Sequence, residues 1–282
     1  MKKQLLFFLL IGSLIGCKKE NDHPVVVKAC FEYSPNEIND GEVQFTNCSE
    51  NAVSFLWDFG DGETSHVKTP THLFSGNFPF TVTLIAYNGD QSNTISKQVY
   101  DDIMVYKPNI YIYPLHQSTL SVTITFPIGG EIIESVPDYA EGWFINVDPS
   151  GKIDNKYDYL FYESKQPDVF QYATGWCIAQ TDLRQFFERN MALYNFSDSE
   201  IKDFTDYWIP LLHETKYYCI YPQTNEIVDR IIQLGFSIQP DNVFRLFYGV
   251  AGTADFKEME EPSINPIQRN GFYIVEWGVF RK

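Results

Sequence analysis

The stretch Phe55-Leu56-Trp57-Asp58-Phe59-Gly60-Asp61-Gly62-Glu63-Thr64-Ser65 decides the fold of the N-terminal third of the chain. Apolar and polar residues alternate up to Phe59, which is the period of a half-buried strand with Trp57 and Phe59 facing a core. Gly60 and Gly62 then allow a tight turn, and the Asp61 carboxylate can accept hydrogen bonds from the turn's own amides. Calcium at Asp58 and Asp61 is the functional alternative, but two carboxylates fall short of the six to eight oxygens the ion takes. Outward from this stretch the alternation recurs in Val43-Gln44-Phe45-Thr46 and in Phe80-Thr81-Val82-Thr83-Leu84-Ile85-Ala86-Tyr87. Asn88-Gly89 suits a hairpin turn after the second run.

Together with Pro70-Thr71-His72-Leu73-Phe74 and Phe78-Pro79-Phe80, these segments closely resemble the PKD domain family. That resemblance implies an immunoglobulin-like sandwich over residues 28–105. It also implies the role of a spacer or adhesive module, as in extracellular enzymes and surface proteins. Cys30 and Cys48 lie equidistant from Asn39 in the first turn, so they can face each other across two antiparallel strands as a disulfide candidate.

The chain opens with Lys2 and Lys3, followed by an apolar run from Leu5 to Ile15. This is a signal-peptide pattern, too short for the ~20 apolar residues a spanning helix needs. Leu14-Ile15-Gly16-Cys17 resembles the lipobox of bacterial lipoproteins. The resemblance implies a signal peptide over residues 1–16, lipidation of Cys17 and attachment to the membrane through acyl chains. Residues 17–27 then read as a lipidated tether. Lys18-Lys19-Glu20-Asn21-Asp22 resembles the signals that place some lipoproteins on the outer face of the outer membrane. The expected location is the cell envelope, as an outer-membrane, surface-exposed lipoprotein.

From residue 106 the pattern changes. Alternating runs at 109–114, 121–126, 142–147 and 157–163 read as strands. Helical periodicity follows from Asp182 to Leu193, with Thr181 as its cap. A capping-box pattern, Ser197-Asp198-Ser199-Glu200, opens a second helix in which Pro210 should introduce a kink. A third helix is expected from Asn225 to Leu234, stopped by Gly235. Strands return at 236–238, 242–248 and 271–277. Residues 106–282 are therefore expected to form an α+β domain, making the whole a multidomain chain. Lys107-Pro108-x-Ile110-Tyr111-x-Tyr113-Pro114, Tyr207-Trp208-x-Pro210 and Gly271-Phe272-x-x-Val275-Glu276-Trp277-Gly278 resemble the landmarks of a widespread bacterial domain. That family has no established activity, so the resemblance implies architecture alone.

The formal net charge is −16, and removing residues 1–16 takes two lysines with it. Such a body repels phosphate backbones, which excludes nucleic acid as a partner class. The five histidines show no metal spacing, and neither a phosphate loop nor a nucleophile elbow is present. No metal or cofactor is expected. Cys177 and Cys219 read equally as a pair or as buried thiols.

Glu163 and Glu276 end strands beside aromatics and are the catalytic candidates, as a carboxylate pair for glycan hydrolysis. Each can instead be satisfied by a cation, Lys107 or Arg245. Aromatics are abundant in this half. Lys107, Tyr111, Tyr113, Trp143, Trp208, Arg245 and Trp277 are the binding candidates, with Trp176, Tyr159 and Tyr207 among the further rings. Exposed Trp and Tyr stack on sugars or anchor protein contacts, although most rings at these spacings belong to a core. The preferred expectation is a lipid-anchored, non-enzymatic binding or adhesion module for an extracellular polymer or envelope partner protein. An extracellular glycan hydrolase is the alternative, and a purely structural role would leave the second domain without a cleft.

Overall fold

The computed structural model describes residues 26–36, 41–76 and 78–282, so the expectations for Cys17 and the leader lie outside the described residues. The chain divides into two compact units, residues 1–76 with 80–98 and residues 77–79 with 99–282.

The first unit is all β. Its strands are β1 Phe31–Pro35, β2 Glu42–Asn47, β3 Ser54–Asp58, β4 Thr64–Ser65, β5 Thr71–Leu73, β6 Phe80–Asn88 and β7 Gln91–Val99. They form two sheets, β1-β2-β5 and β4-β3-β6-β7. The alternation read in the sequence is what fills the space between them. Val43, Phe45, Trp57, Val82, Leu84 and Ala86 have no exposed surface, while Gln44, Asp58 and Thr81 point outward. Trp57 packs its ring 5.2 Å from Phe31 and 5.3 Å from Phe45, and its indole N–H donates to the Val67 carbonyl at 2.9 Å. Cys30 and Cys48 are joined by a disulfide.

The turn after Trp57 uses its carboxylates locally. Asp58 accepts from the Gly60 amide at 2.9 Å and Asp61 from the Glu63 amide at 3.0 Å. The other Asp61 oxygen meets His72 Nε2 at 2.7 Å, and the His72 ring stacks on Phe59 at 3.9 Å. Burial works to raise the Asp61 carboxyl, but the His72 hydrogen bond and the Glu63 amide outweigh it and hold the group below its usual range. Gly60 has φ +79°, and a Cβ there would lie 2.5 Å from the Thr81 carbonyl oxygen, so only glycine fits.

The second unit is built on a seven-stranded sheet. Its strands are β8 Asp102–Tyr113, β9 Ser118–Thr125, β10 Glu131–Val136, β11 Trp143–Val147, β12 Leu160–Pro167, β13 Trp176–Ala179, β14 Tyr217–Thr224, β15 Gln233–Phe236, β16 Asn242–Thr253 and β17 Tyr273–Arg281. Its helices are α1 Leu183–Leu193, α2 Asp198–Trp208 and α3 Asn225–Ile231. The order β10-β12-β8-β17-β16-β14-β13 is antiparallel except for the β16–β17 pair. A second sheet, β11-β9-β15, covers one face together with α3, and α1 and α2 cover the other. The alternation of β17 shows both layers at once. Ile274 and Phe280 face the small sheet, whereas Val275, Trp277 and Val279 face the helices.

Several boundaries differ from the sequence reading. The second unit begins at Val99 rather than 106, because Ile103 and Val105 of β8 belong to its core. Thr181 lies in a 3-10 turn, Gln180–Asp182, and does not cap α1. The Ser197–Glu200 capping box is present, but α2 stops at Trp208 and passes into a 3-10 turn over Ile209–Leu211 instead of kinking at Pro210. The third helix ends at Ile231. Leu234 and Gly235 belong to β15 and pair with Ile124 and Thr123. Strands β10, β13 and β14 carried no clear alternating signal, since β14 is buried along most of its length.

Candidate functional site

The four charged residues singled out in the sequence, Lys107, Glu163, Arg245 and Glu276, do not converge. They form two separate pairs on opposite faces of the large sheet. On β12, Tyr162 points into the core beneath the small sheet, so its neighbour Glu163 points the other way. Glu276 lies on the Tyr162 side, accepting from the Tyr162 hydroxyl at 2.9 Å. The proposed carboxylate pair is therefore corrected: the sheet itself stands between its two members.

Glu276 and Arg245 are both fully buried and joined through Arg245 Nε. Arg245 Nη1 also donates to Asp229 at 2.9 Å and to the Ile232 carbonyl, tying α3 to β16. Burial raises the Glu276 carboxyl, and the Arg245 charge and the Tyr162 hydroxyl oppose that rise. This is a sealed ion pair that no ligand can touch.

The binding candidates Trp143 and Trp208, each 2% exposed, and Trp277, fully buried, are likewise core residues. Trp143 packs edge-on to Tyr139 at 4.9 Å and Trp277 to Phe204 at 5.2 Å. Tyr113 is also occupied, donating to Glu200 at 2.8 Å. Glu200 is buried and in turn bound by Arg269, which joins α2, β8 and the segment preceding β17. Large aromatics at alternating spacing went to the core, the bland outcome of their size.

Lys107 and Tyr111 do come together. Pro108 has no N–H to offer a central strand, and β8 accommodates it with a bulge that shifts register against both β12 and β17. Lys107 takes φ +50° there, a conformation that crowds its Cβ. Its ammonium sits 4.6 Å from the Tyr207 ring centre, 5.2 Å from Phe161 and 5.6 Å from Tyr159. Tyr111 donates to Asp203 at 2.9 Å and packs on Tyr159 at 5.2 Å. Burial holds the Lys107 amine below its usual range, and the Asp203 and Glu163 carboxylates offset only part of that. The cluster packs one half-buried cation among three rings contributed by β12 and α2 and their flanks, beside the bulge.

The open site lies elsewhere, at the edge of the large sheet. Strand β13 ends the strand order, and a groove of about 560 Å³ runs between it, one face of α1 and the segment after β16. Trp176 and Phe186 pack at 5.4 Å on one side, and Tyr217 and Phe256 at 5.9 Å on the other. Asp182, Gln185, Arg189 and Glu261 supply polar groups around these rings. Phe256 is 61% exposed. Glycine makes the closure of this edge feasible: the Gly175 amide donates to the Glu260 carbonyl at 2.9 Å, and a Cβ at Gly175 would lie 2.2 Å from the Ile220 carbonyl oxygen. The volume falls in the range of ligand pockets, about 300–1,000 Å³. Of its lining, sequence reasoning singled out Trp176 and Cys177, and neither as part of a groove. The available signal was Phe256 alone in the acidic run Asp255-Phe256-Lys257-Glu258-Met259-Glu260-Glu261, an apolar ring where solvation favours charge.

The first unit is an immunoglobulin-like sandwich of the PKD class. Residues 21–103 match the PKD domain family. Among solved structures, the chain is similar to the PKD1 domain from Vibrio cholerae metalloprotease PrtV. Identity is 30%, covering 27% of this chain and 95% of that one, with a TM-score of 0.24. It is also similar to the PKD1 domain of Vibrio anguillarum Epp, at 25% identity, covering 26% of this chain and 90% of that one, with a TM-score of 0.24. Among curated proteins, none matches the chain. PKD domains are common in binding and adhesion modules of extracellular proteins, and among the described residues no helix is long and apolar enough to cross a membrane.

Proposed function

We propose that this is a lipid-anchored, non-enzymatic binding module of the cell envelope, and that the groove beside β13 takes a neutral glycan chain. The observation that carries the reading is the groove's lining, which brings the rings of Phe186, Tyr217 and Phe256 together with carboxylates, an amide and a guanidinium. Ring faces stack on the apolar faces of sugars, and the polar groups meet hydroxyls. A net charge of −16 disfavours anionic polymers, and the ring faces of the groove favour neutral sugars among the rest.

Titration with soluble neutral oligosaccharides, followed by the fluorescence of Trp176 in the groove wall, tests this reading. Phe256→Ala should weaken binding by about tenfold, the worth of one aromatic contact of ~1–1.5 kcal/mol. A neutral panel that leaves the emission unchanged at millimolar concentration, or equal binding by the variant, would overturn it.

The anchor has its own test. Cells fed an alkyne-tagged palmitate should incorporate the tag into the native protein and not into Cys17→Ser. Retention of the tag by the variant would remove the anchor from the proposal.

A further inference from the structure

We infer that Cys177 and Cys219 form a reversible cross-strand disulfide, which adjusts the groove beside β13. The two residues are direct register partners in the antiparallel pair β13–β14. The Gln180 amide donates to the Lys216 carbonyl at 3.0 Å, so Gln180 and Lys216 are a hydrogen-bonded pair in the same register. Counting back by alternation makes Cys177 and Cys219 a non-hydrogen-bonded pair, the kind whose side chains approach most closely. Such pairs hold their Cα atoms about 4.5 Å apart. Disulfides span Cα separations of roughly 4.4–6.8 Å, so the bond can close without moving either strand. Both thiols are free and lie on the same face, with the Cys219 thiol meeting that of Cys177.

The two sulfurs differ in access. Both residues are buried, Cys219 at 1% exposed and Cys177 at 9% in the wall of the groove. Burial and the neighbouring Cys177 thiol raise the Cys219 thiol above its ordinary range, which makes it the slower nucleophile. The order of events follows from this. The Cys177 thiolate attacks a sulfur of an incoming disulfide, such as oxidised glutathione or an oxidoreductase disulfide. A mixed disulfide forms and one thiol leaves. The Cys219 thiolate then attacks Cys177 Sγ and the second thiol leaves. Two thiols of this chain are oxidised and one disulfide of the reagent is reduced to two thiols, with the two protons passing to those leaving groups.

Closure has a consequence for the groove. Cys177 Sγ accepts the Lys257 amide at 3.3 Å, and Lys257 follows Phe256 in the lip. Bond formation draws that sulfur to about 2.05 Å from its partner and away from the amide. The lip then loses a contact next to Phe256, which meets Tyr217 edge-on at 5.9 Å. This second half rests on the groove reading given above; the bond itself does not.

Non-reducing peptide mapping of the full chain after exposure to oxidised glutathione tests the proposal. The peptides carrying Cys177 and Cys219 should be found cross-linked, and dithiothreitol should restore alkylation at both of these positions. Cys219→Ser should trap glutathione on Cys177, because the resolving thiol is gone. Two thiols still free after oxidation, or glutathione on each cysteine separately, would overturn the inference. An unmodified Cys177 in the Cys219→Ser protein would do the same. The groove is read independently: the oxidised protein should bind a neutral oligosaccharide about two- to tenfold more weakly, the range of one aromatic contact. Cross-linked peptides with no change in oligosaccharide affinity would overturn the coupling to the groove. Absence of binding in both redox states would count against the glycan reading and leave the bond standing.

Discussion

Replacing Glu276 with alanine should lower the stability of the second unit by about 3–5 kcal/mol, the cost of stranding one member of a buried ion pair. The figure follows from what the truncation leaves behind. Arg245 has no exposed surface and stays charged in the variant, because a guanidinium does not deprotonate in proteins. Its Nη2 already has no hydrogen-bond partner among the described residues. Without Glu276, its Nε loses its acceptor as well, and the Tyr162 hydroxyl loses the one it uses at 2.9 Å. Asp229 is half exposed and holds only Nη1, so it cannot compensate. At roughly 2–4 °C per kcal/mol for a unit of this size, the thermal midpoint should fall by about 10 °C.

Two companions separate this account from a simple cavity effect. Glu276→Gln keeps the volume and an acceptor for Tyr162, so it should cost less than alanine. The double replacement of Glu276 and Arg245 by methionine removes both charges and should recover most of the loss. Glu163→Ala, on the opposite face and only partly buried, should stay within about 0.5 kcal/mol, as surface substitutions do. Thermal unfolding followed by circular dichroism would read all four. A Glu276→Ala protein melting within a degree or two of the parent would refute the sealed-pair assignment and reopen a catalytic role for that carboxylate.

These residues also show where sequence reading reached its limit. Alternation placed Trp57, Phe45 and Val82 on inward faces, and the structure has them there, because a two-sheet sandwich asks only for period two. In the second unit, alternation located β8, β9, β11, β16 and β17, but it does not say which face of a central strand meets which layer. Glu163 and Glu276 looked alike for that reason: each ends an aromatic run, yet the sheet separates them. Their cations were legible as chemistry, since Lys107 and Arg245 are the partners the residues were expected to find. The groove was not legible. Its walls come from β13, α1 and the segment after β16, far apart in the chain, and their meeting depends on strand order rather than on any local pattern. Cys177 and Cys219 were open for the same reason, because only the β13–β14 register sets them face to face.

The same physics predicts that Trp57→Ala unfolds or nearly unfolds the first unit without itself breaking the Cys30–Cys48 bond. Trp57 is fully buried, touches the rings of Phe31 and Phe45, and is the only tryptophan of that unit. Truncating a buried tryptophan costs about 3–5 kcal/mol. A domain this small holds a total of roughly 5–15 kcal/mol, nearer the low end for its length. The variant also abandons the Val67 carbonyl, which the indole N–H satisfies at 2.9 Å. Trp57→Phe restores much of the volume but not that hydrogen bond, so about 1–2 kcal/mol should remain lost. Because the substitution removes the unit's own tryptophan fluorescence, amide hydrogen exchange in β2, β3 and β6 is the suitable readout. Protection there should fall by at least a hundredfold for alanine and by less for phenylalanine, following the same free energies. Reduction of the Cys30–Cys48 bond should become faster in the alanine variant, since opening of the sandwich exposes it. Unchanged protection in Trp57→Ala would mean that the ring fills space without supporting the sheets, and the reading of Phe55–Ser65 as the segment that sets this fold would fail with it.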